Sequence, residues 1–239
     1  MSKRRSPLST EPVRARIESL THDGRGVTHV DGKTVFVDGA LAGEEVEFQY
    51  IARQRRYDEA KTLTVIEASP DRVTARCAHF GVCGGCALQH VRESAQIEAK
   101  QKALLDDLER IGRVKPKHIL PALTGPSWGY RRKARLAVKY VIKKERVLVG
   151  FREKHSHYLA DIVHCEVLYP AVAKLLPELT ALVTALSIKE HIPQIEVAVG
   201  DNAIALIVRH LVPLNDADLG LLTDFAKIGI IQGHQVPHD

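Results

Sequence analysis

Along the first third of the chain apolar and polar residues trade places at every second position; further on they recur with a helical period. Val46, Phe48 and Tyr50 alternate with Glu45, Glu47 and Gln49, the signature of a strand with one face buried. Val13-Arg14-Ala15-Arg16-Ile17 and Thr34-Val35-Phe36-Val37 are rich in strand formers, and a last strand is expected around Ala60 to Ile66. Asp23-Gly24-Arg25-Gly26 and Asp31-Gly32 are turn signals between them. Five short strands within residues 13–70 fit a small closed all-β barrel of the OB type. Strand count alone leaves an SH3-like barrel open. Residues 1–12, ending at Pro12, are expected to be a disordered tail.

The helical period covers residues 93–111. Ile97, Leu104, Leu108 and Ile111 fall on one face, Glu98/Lys102 and Asp106/Arg110 form i,i+4 pairs, and Gly112 stands where a C′ residue stops a helix. Pro116, Pro121 and Pro126 mark a loop. Strands are then expected at 131–142, 147–152, 194–199 and 203–209, the last two joined through Gly200-Asp201-Asn202, and helices at 171–186 and 215–228. Blocks of strands and helices with hairpins predict an α+β domain with an antiparallel sheet rather than a doubly wound one. The expected division is a tail at 1–12, a barrel at 13–70, a cysteine loop and helix at 71–112, and a central α+β domain at 113–239.

Charge sharpens the reading of residues 131–142. Between Trp128 and Lys154 ten Lys or Arg stand against two Glu, whereas the whole chain is only +5, so the basic character is local. On a strand, Ala134, Leu136, Val138, Tyr140 and Ile142 point one way, and Arg131, Lys133, Arg135 and Lys139 the other. A sheet gains nothing from a row of like charges unless an anion meets it. With Arg132, the row reads as a phosphate-contacting stripe for RNA; a solvated face with acidic neighbours in space is the competing reading. Arg53, Arg55 and Arg56, beside Tyr50 and Tyr57, form a second basic cluster with aromatics for stacking.

The basic N-terminus (Lys3, Arg4, Arg5) leads into no apolar h-region, and no apolar run approaches the length of a membrane span. A cytoplasmic protein with no membrane partner is expected, in a reducing compartment where structural disulfides are rare. That bears on the four cysteines, spaced Cys77-x5-Cys83-x2-Cys86 with Cys165 alone far downstream. Gly84 and Gly85 let the backbone fold closely around something small. Three local thiolates and one distant one are a common way to hold an iron–sulfur cluster, and the plant-type ferredoxin run differs by one residue in its first gap. Tetrahedral zinc competes, although only Cys83 and Cys86 make a knuckle. A catalytic Cys165 beside His164 is a third reading, and it strands three clustered thiolates without a fourth ligand.

Gly26-Val27, Gly32-Lys33, Val35-Phe36-Val37, Ala40-Leu41-Ala42-Gly43-Glu44 and Glu59-Ala60 resemble a TRAM domain, an OB-type RNA-binding barrel. Ser69-Pro70-Asp71-Arg72-Val73, Cys77-Ala78-His79-Phe80, Cys83-Gly84-Gly85-Cys86 and Gln89-His90 come next, then Tyr130-Arg131-Arg132-Lys133-Ala134-Arg135, Gly150-Phe151-Arg152 and Cys165. That order resembles the N-terminal half of bacterial 23S rRNA uracil-C5 methyltransferases over nearly the whole chain. The resemblance implies a family that uses S-adenosylmethionine and carries a [4Fe–4S] cluster, with Cys77, Cys83, Cys86 and Cys165 as the cluster ligands. It also implies 23S rRNA as the partner, bound by the central domain and the barrel. Family members usually follow the last ligand with proline; here Glu166 stands there.

The family's chemistry adds a cysteine thiolate to C6 of uracil, transfers a methyl group to C5 and removes the C5 proton with a general base, on a base taken out of its stack. In relatives those residues and the methyl-donor loop lie in a C-terminal Rossmann-like domain. That domain is expected to be absent from this chain, which is then a truncated or split form. It is expected to act as a monomer that binds RNA and a cluster but has no catalytic residue, with S-adenosylmethionine a cofactor of the full-length protein only. The alternative is a stand-alone, non-catalytic iron–sulfur or zinc RNA-binding module. A radical enzyme cleaving S-adenosylmethionine needs an iron with only three protein ligands, which the fourth cysteine disfavours.

Overall fold

The computed structural model describes residues 11–228; most of the tail expected at 1–12 lies outside them. The chain forms two units, one ending at Ala75 and resuming over Ala87–Leu123, the other made of Arg76–Cys86 and the residues from Thr124 on. The segment expected as one piece at 71–112 is therefore divided. Its cysteine run folds with the second unit and its helix with the first.

In the first unit the strands are β1 (Val13–Arg16), β2 (Ser19–Leu20), β3 (Gly26–Val30), β4 (Lys33–Asp38), β5 (Glu45–Arg53) and β6 (Tyr57–Glu67). They lie in the order β1-β5-β6-β4-β3-β2, with β4 and β6 parallel and the other pairs antiparallel. The alternation works as expected: Val35, Val37, Val46, Phe48 and Tyr50 turn inward and pack with Ile17, Ala40 and Ala60, each large side chain contributing roughly 1.5–3 kcal/mol by burial. Register shifts between β5 and β6 are bulges that curl this long hairpin. The curl closes where Thr28 Oγ1 donates to the Arg16 carbonyl at 2.8 Å and the Glu18 N–H donates to that of Val27 at 2.8 Å. The β3–β4 turn has positive φ at both Asp31 and Gly32, the Asp-Gly hairpin geometry. β3 itself starts at Gly26, where a Cβ would meet Ile17 Cγ2 at 2.9 Å.

Glu44 fastens the end of this barrel. Its side chain is fully buried and accepts from the Leu41 N–H (2.8 Å), the Ser69 N–H (3.1 Å) and Arg72 Nε (2.5 Å) and Nη2 (2.7 Å). Arg72 Nη2 also donates to the Gly39 carbonyl at 2.7 Å. The chain leaving through Arg72 and the chain returning through Val91 form a bridge, with the Val73 N–H on the His90 carbonyl and the Arg92 N–H on that of Asp71. The two ends of the cysteine excursion are thus clamped together at their base.

Helix α1 (Glu93–Arg110) follows. Its apolar stripe differs from expectation. Of its residues Ala95 alone is buried; Ile97 and Leu108 are half-buried, while Leu104 and Ile111 are 60% and 79% exposed, so the face that periodicity sets is only partly covered. Of the charged side chains, Lys102 and Asp106 pair at 3.2 Å. The helix ends with the Ile111 and Gly112 N–H groups on the Asp107 carbonyl. The left-handed residue is Arg113, φ 54°, rather than the expected Gly112.

The second unit is α+β as the sequence predicts. Strands β7 (Lys133–Val141), β8 (Arg146–Gly150), β9 (Gln194–Val199) and β10 (Ile204–Arg209) form an antiparallel sheet in the order β10-β9-β7-β8. Helix α2 (Pro170–Ala185) packs its Val172, Leu176, Leu179 and Val183 against Leu136, Val138, Val147, Val149, Ile195 and Val197. It does so despite Pro177 within it: burial of that face outweighs a propensity loss of about 3 kcal/mol. Helix α3 (Asp216–Ile228) is capped by Asn215, whose Oδ1 accepts from the Asp218 N–H at 2.8 Å. No helix among the described residues is long and apolar enough to cross a membrane.

Burial pushes the Glu44 carboxyl up, but the hydrogen bonds from Arg72, Leu41 and Ser69 and the Arg72 charge outweigh it and hold it below the usual carboxylate range. A depressed folded-state value means the stabilisation is complete above the unfolded value, about 4.3, and is lost as pH falls through the lower one. Glu44→Gln is expected to cost about 1.5–3 kcal/mol at pH 7 and to flatten the barrel's acid limb. Calorimetry from pH 7 down to about 3 checks it; an unchanged acid limb contradicts it.

Candidate cysteine centre and nucleic-acid interface

All four cysteines fall in the second unit. None is in a disulfide. Cys165 is buried in the main core, and Cys83 and Cys86 pack against that core. The run 77–86 coils tightly, with the Phe80 N–H on the Cys77 carbonyl and the Val82 and Cys83 N–H groups on that of His79. It then lies along the segment after β8. The Gly84 N–H donates to the Arg152 carbonyl, the Lys154 N–H donates to that of Val82, both at 2.8 Å, and Cys83 bridges Glu153. The two glycines serve this approach: a Cβ at Gly84 would meet the Arg152 oxygen at 3.0 Å, and one at Gly85 would meet Phe151 at 3.3 Å and Cys83 Sγ at 3.4 Å.

Burial pushes the Cys83 thiol up, the Gly85 N–H (3.4 Å from Sγ) pulls it down, and the fields of Cys86, Cys165 and Cys77 push it up again. The other three sulfurs therefore lie within the electrostatic reach of Cys83. Among the described residues no group of three or more His, Cys, Asp or Glu is arranged as a metal-ion site.

Two arginines hold the surroundings of the thiols. Arg131 Nη2 donates to the Gly85 carbonyl at 3.0 Å, and its guanidinium lies 5.4 Å from the centre of the Phe151 ring. Its backbone N–H donates to the Val167 carbonyl, and its carbonyl accepts from Tyr169. Arg76, next to Cys77, pairs with Glu166, next to Cys165, at 2.8 Å and stacks 5.2 Å from the Trp128 ring. Glu166 thus ties the flanks of the first and last cysteines. The sequence singles out Glu166 but not its partner.

Of the cations expected on one strand face, Lys133, Arg135 and Lys139 are exposed and share the outer face of β7. Arg131 does not join them, because regular pairing starts at Lys133 and its guanidinium turns to the cysteine loop. Arg132 lies 5.3 Å from the Tyr169 ring and pairs with Asp201 at 3.0 Å. Register places Glu196 opposite Arg135 and Gln194 opposite Ala137 and Arg209, so Arg209 shares the outer face. Glu196, the acidic neighbour on β9, accepts from Arg209 Nε at 2.6 Å. Its carboxyl is held low chiefly by that hydrogen bond, opposed by desolvation, with the fields of Arg209 and Arg135 adding to it. In the first unit Arg53, Arg55 and Arg56 are exposed at the β5–β6 hairpin tip, Arg53 lying 5.3 Å from the Tyr50 ring.

Comparison with known proteins bears on both features. Residues 11–61 match the TRAM domain. The chain is 53% identical over 230 residues to the 23S rRNA (uracil(1939)-C(5))-methyltransferase RlmD of Nitrosococcus oceani, covering 96% of this chain and 52% of that protein. The enzyme of the same name from Xanthomonas axonopodis pv. citri is 50% identical over 95% of the chain and 52% of its own length. Among solved structures, the Pyrococcus abyssi tRNA (uracil-54, C5)-methyltransferase in complex with S-adenosyl-L-homocysteine superposes with a TM-score of 0.63 at 22% identity, covering 87% of this chain and 48% of that one. That likeness concerns the fold. The chain spans about half the length of the curated relatives it matches, and over that span it carries a TRAM domain and is closely similar to 23S rRNA (uracil-C5)-methyltransferases.

Proposed function

We propose that this chain is the RNA-recognising, cluster-bearing part of a cytoplasmic 23S rRNA (uracil-C5)-methyltransferase. The observation that carries the reading is 50–53% identity over 95–96% of the chain to relatives bearing that name. The outer face of β7, with Lys133, Arg135 and Lys139, and the hairpin tip with Arg53, Arg55 and Arg56 supply the phosphate contacts. These contacts fix register on the RNA without reading its sequence. In the whole protein S-adenosylmethionine supplies an electrophilic methyl group; no residue of this chain is assigned to it. The part played here is to receive and orient the RNA.

Cys77, Cys83, Cys86 and Cys165 would hold a [4Fe–4S] cluster, the group the family resemblance implies. The donor set fits it. Four thiols without a disulfide gather in one unit, three on a glycine-bearing loop and one in the core, each within the electrostatic reach of Cys83. A four-iron cluster spreads its thiolates wider than a single ion does, so they need not converge on one point. Its contribution is architectural: it links the 77–86 run to Cys165 across a long loop, a closure that a disulfide estimate puts at about 4–5 kcal/mol at most.

Two outcomes are expected. Purified without oxygen, the chain is brown and carries about four irons and about four sulfides. One zinc per chain with no sulfide rejects the cluster. For RNA, about five phosphate contacts give a slope of log K against log salt of about −3.5 to −4.5. Substituting Lys133, Arg135 or Lys139 by Ala should shallow it by about 0.7–0.9 each and weaken all sequences alike. Titrations from low to moderate salt measure this, and an unchanged slope in all three variants removes β7 from the interface.

A further inference from the structure

The segment that grips the cysteine loop ends in an exposed aromatic pair. Residues 152–159 are pinned at both ends, Glu153 bridging Cys83 and Arg152 bridging Leu159. Between the pins the Glu153 N–H donates to the Tyr158 carbonyl at 2.8 Å, Ser156 Oγ donates to Glu153 Oε2 at 2.7 Å, and the Tyr158 N–H donates to Ser156 Oγ at 3.0 Å. The loop is thus closed by its own hydrogen bonds, and its backbone positions the side chains at the tip. There Tyr158 is 65% exposed, with its ring 4.5 Å from that of His157 and tilted by 41°. In sequence the loop carries Arg152, Lys154, His155 and His157 against one carboxylate, Glu153, which Ser156 engages.

Folding gains little from a tyrosine left in water on a loop that its own hydrogen bonds already hold. An aromatic ring presented from a pinned backbone in a cationic setting is instead what proteins use to stack an unpaired base. We propose that Tyr158, backed by His157, is a stacking platform for an unpaired base of single-stranded RNA. This rests on the RNA-binding reading above and adds to it a contact of a different kind: base faces here, phosphates along β7. Because Cys83 bridges the base of the loop, the platform is held by the same segment that carries the thiols.

The two kinds of contact separate experimentally. Binding of a fluorescein-labelled single-stranded RNA oligonucleotide to the full chain is followed by anisotropy across a range of salt for Tyr158, Tyr158→Phe and Tyr158→Ala. The Ala variant is expected to bind about 5- to 150-fold more weakly, with its salt slope unchanged and its far-ultraviolet dichroism intact; the Phe variant keeps its affinity because the ring remains. Equal binding by all three overturns the platform. So does equal loss in Ala and Phe, which assigns the contact to the hydroxyl, or a shallower slope in Ala, which assigns it to phosphate. If the unsubstituted chain binds no RNA, the RNA reading falls and the platform with it, whereas binding that ignores Tyr158 removes the platform alone.

Discussion

The side chain of Arg131 donates to the Gly85 carbonyl while its backbone N–H donates to that of Val167. One residue at the entry to β7 thereby holds the loop with three cysteines and the strand-like segment just beyond the fourth. The bond to Gly85 is charge-assisted, lies in a half-buried setting and is backed by the Phe151 ring, so it belongs to the stronger class of hydrogen bonds. A second tie, Arg76 to Glu166, runs between residues flanking the first and last cysteines; its arginine is more than half exposed, which limits it to about 1 kcal/mol or less. The arrangement around the thiols leans on Arg131 more than on that pair.

A different set of contacts explains why the chain leaves the first unit after Ala75 and comes back at Ala87. The run between them is short in large apolar side chains, and only its Cys83 and Cys86 pack against the core of the second unit. Backbone pairing decides. Gly84 and Val82 bond to residues 152 and 154, and the absence of a Cβ at Gly84 is what permits the approach to the Arg152 oxygen. Within the first unit, the Val73–His90 and Arg92–Asp71 bonds join the outgoing and returning chain, and Glu44 holds Arg72 at the barrel end. The sequence shows the glycines but not what they approach.

Legibility followed burial. β9 spans residues 194–199 as expected, and the ends of β7, β8, β10, α2 and α3 fall within two residues of expectation, because each carries apolar side chains that the core covers. The sequence does not separately place β2 and β3: they are short, lie between turns, and are defined by pairing with their neighbours, β2 with β3 and β3 with β4. The helix at 93–110 was legible, yet its apolar face was not a core face, since periodicity says which residues share a side and is silent on what meets them. The spacing of the four cysteines predicts them as a set, and the structure puts all four in the second unit. The spacing does not predict that Glu166 and Arg76 pair beside them, because two residues ninety positions apart carry no local signal.

Arg131 and Lys133 have the same residue spacing as Lys133 and Arg135 and opposite fates, and the reason bears on what β7 is for. From Lys133 on, the ladder with β9 fixes the alternation, so Leu136 and Val138 must go into the core and the cations must face out. Two cations on alternate residues of one strand face stand about 7 Å apart, and at water's dielectric constant they repel by about 0.6 kcal/mol, less in salt. Burying one leucine or valine contributes roughly 1.5–3 kcal/mol. The inner face therefore dominates, and the sheet tolerates an outer face that does nothing for its stability, with Glu196 relieving only part of the repulsion. Arg131 lies before the ladder starts, free of that constraint, and its charge is drawn to the cysteine loop. A row of cations maintained where folding is indifferent to it is the kind of surface that a polyanion would select.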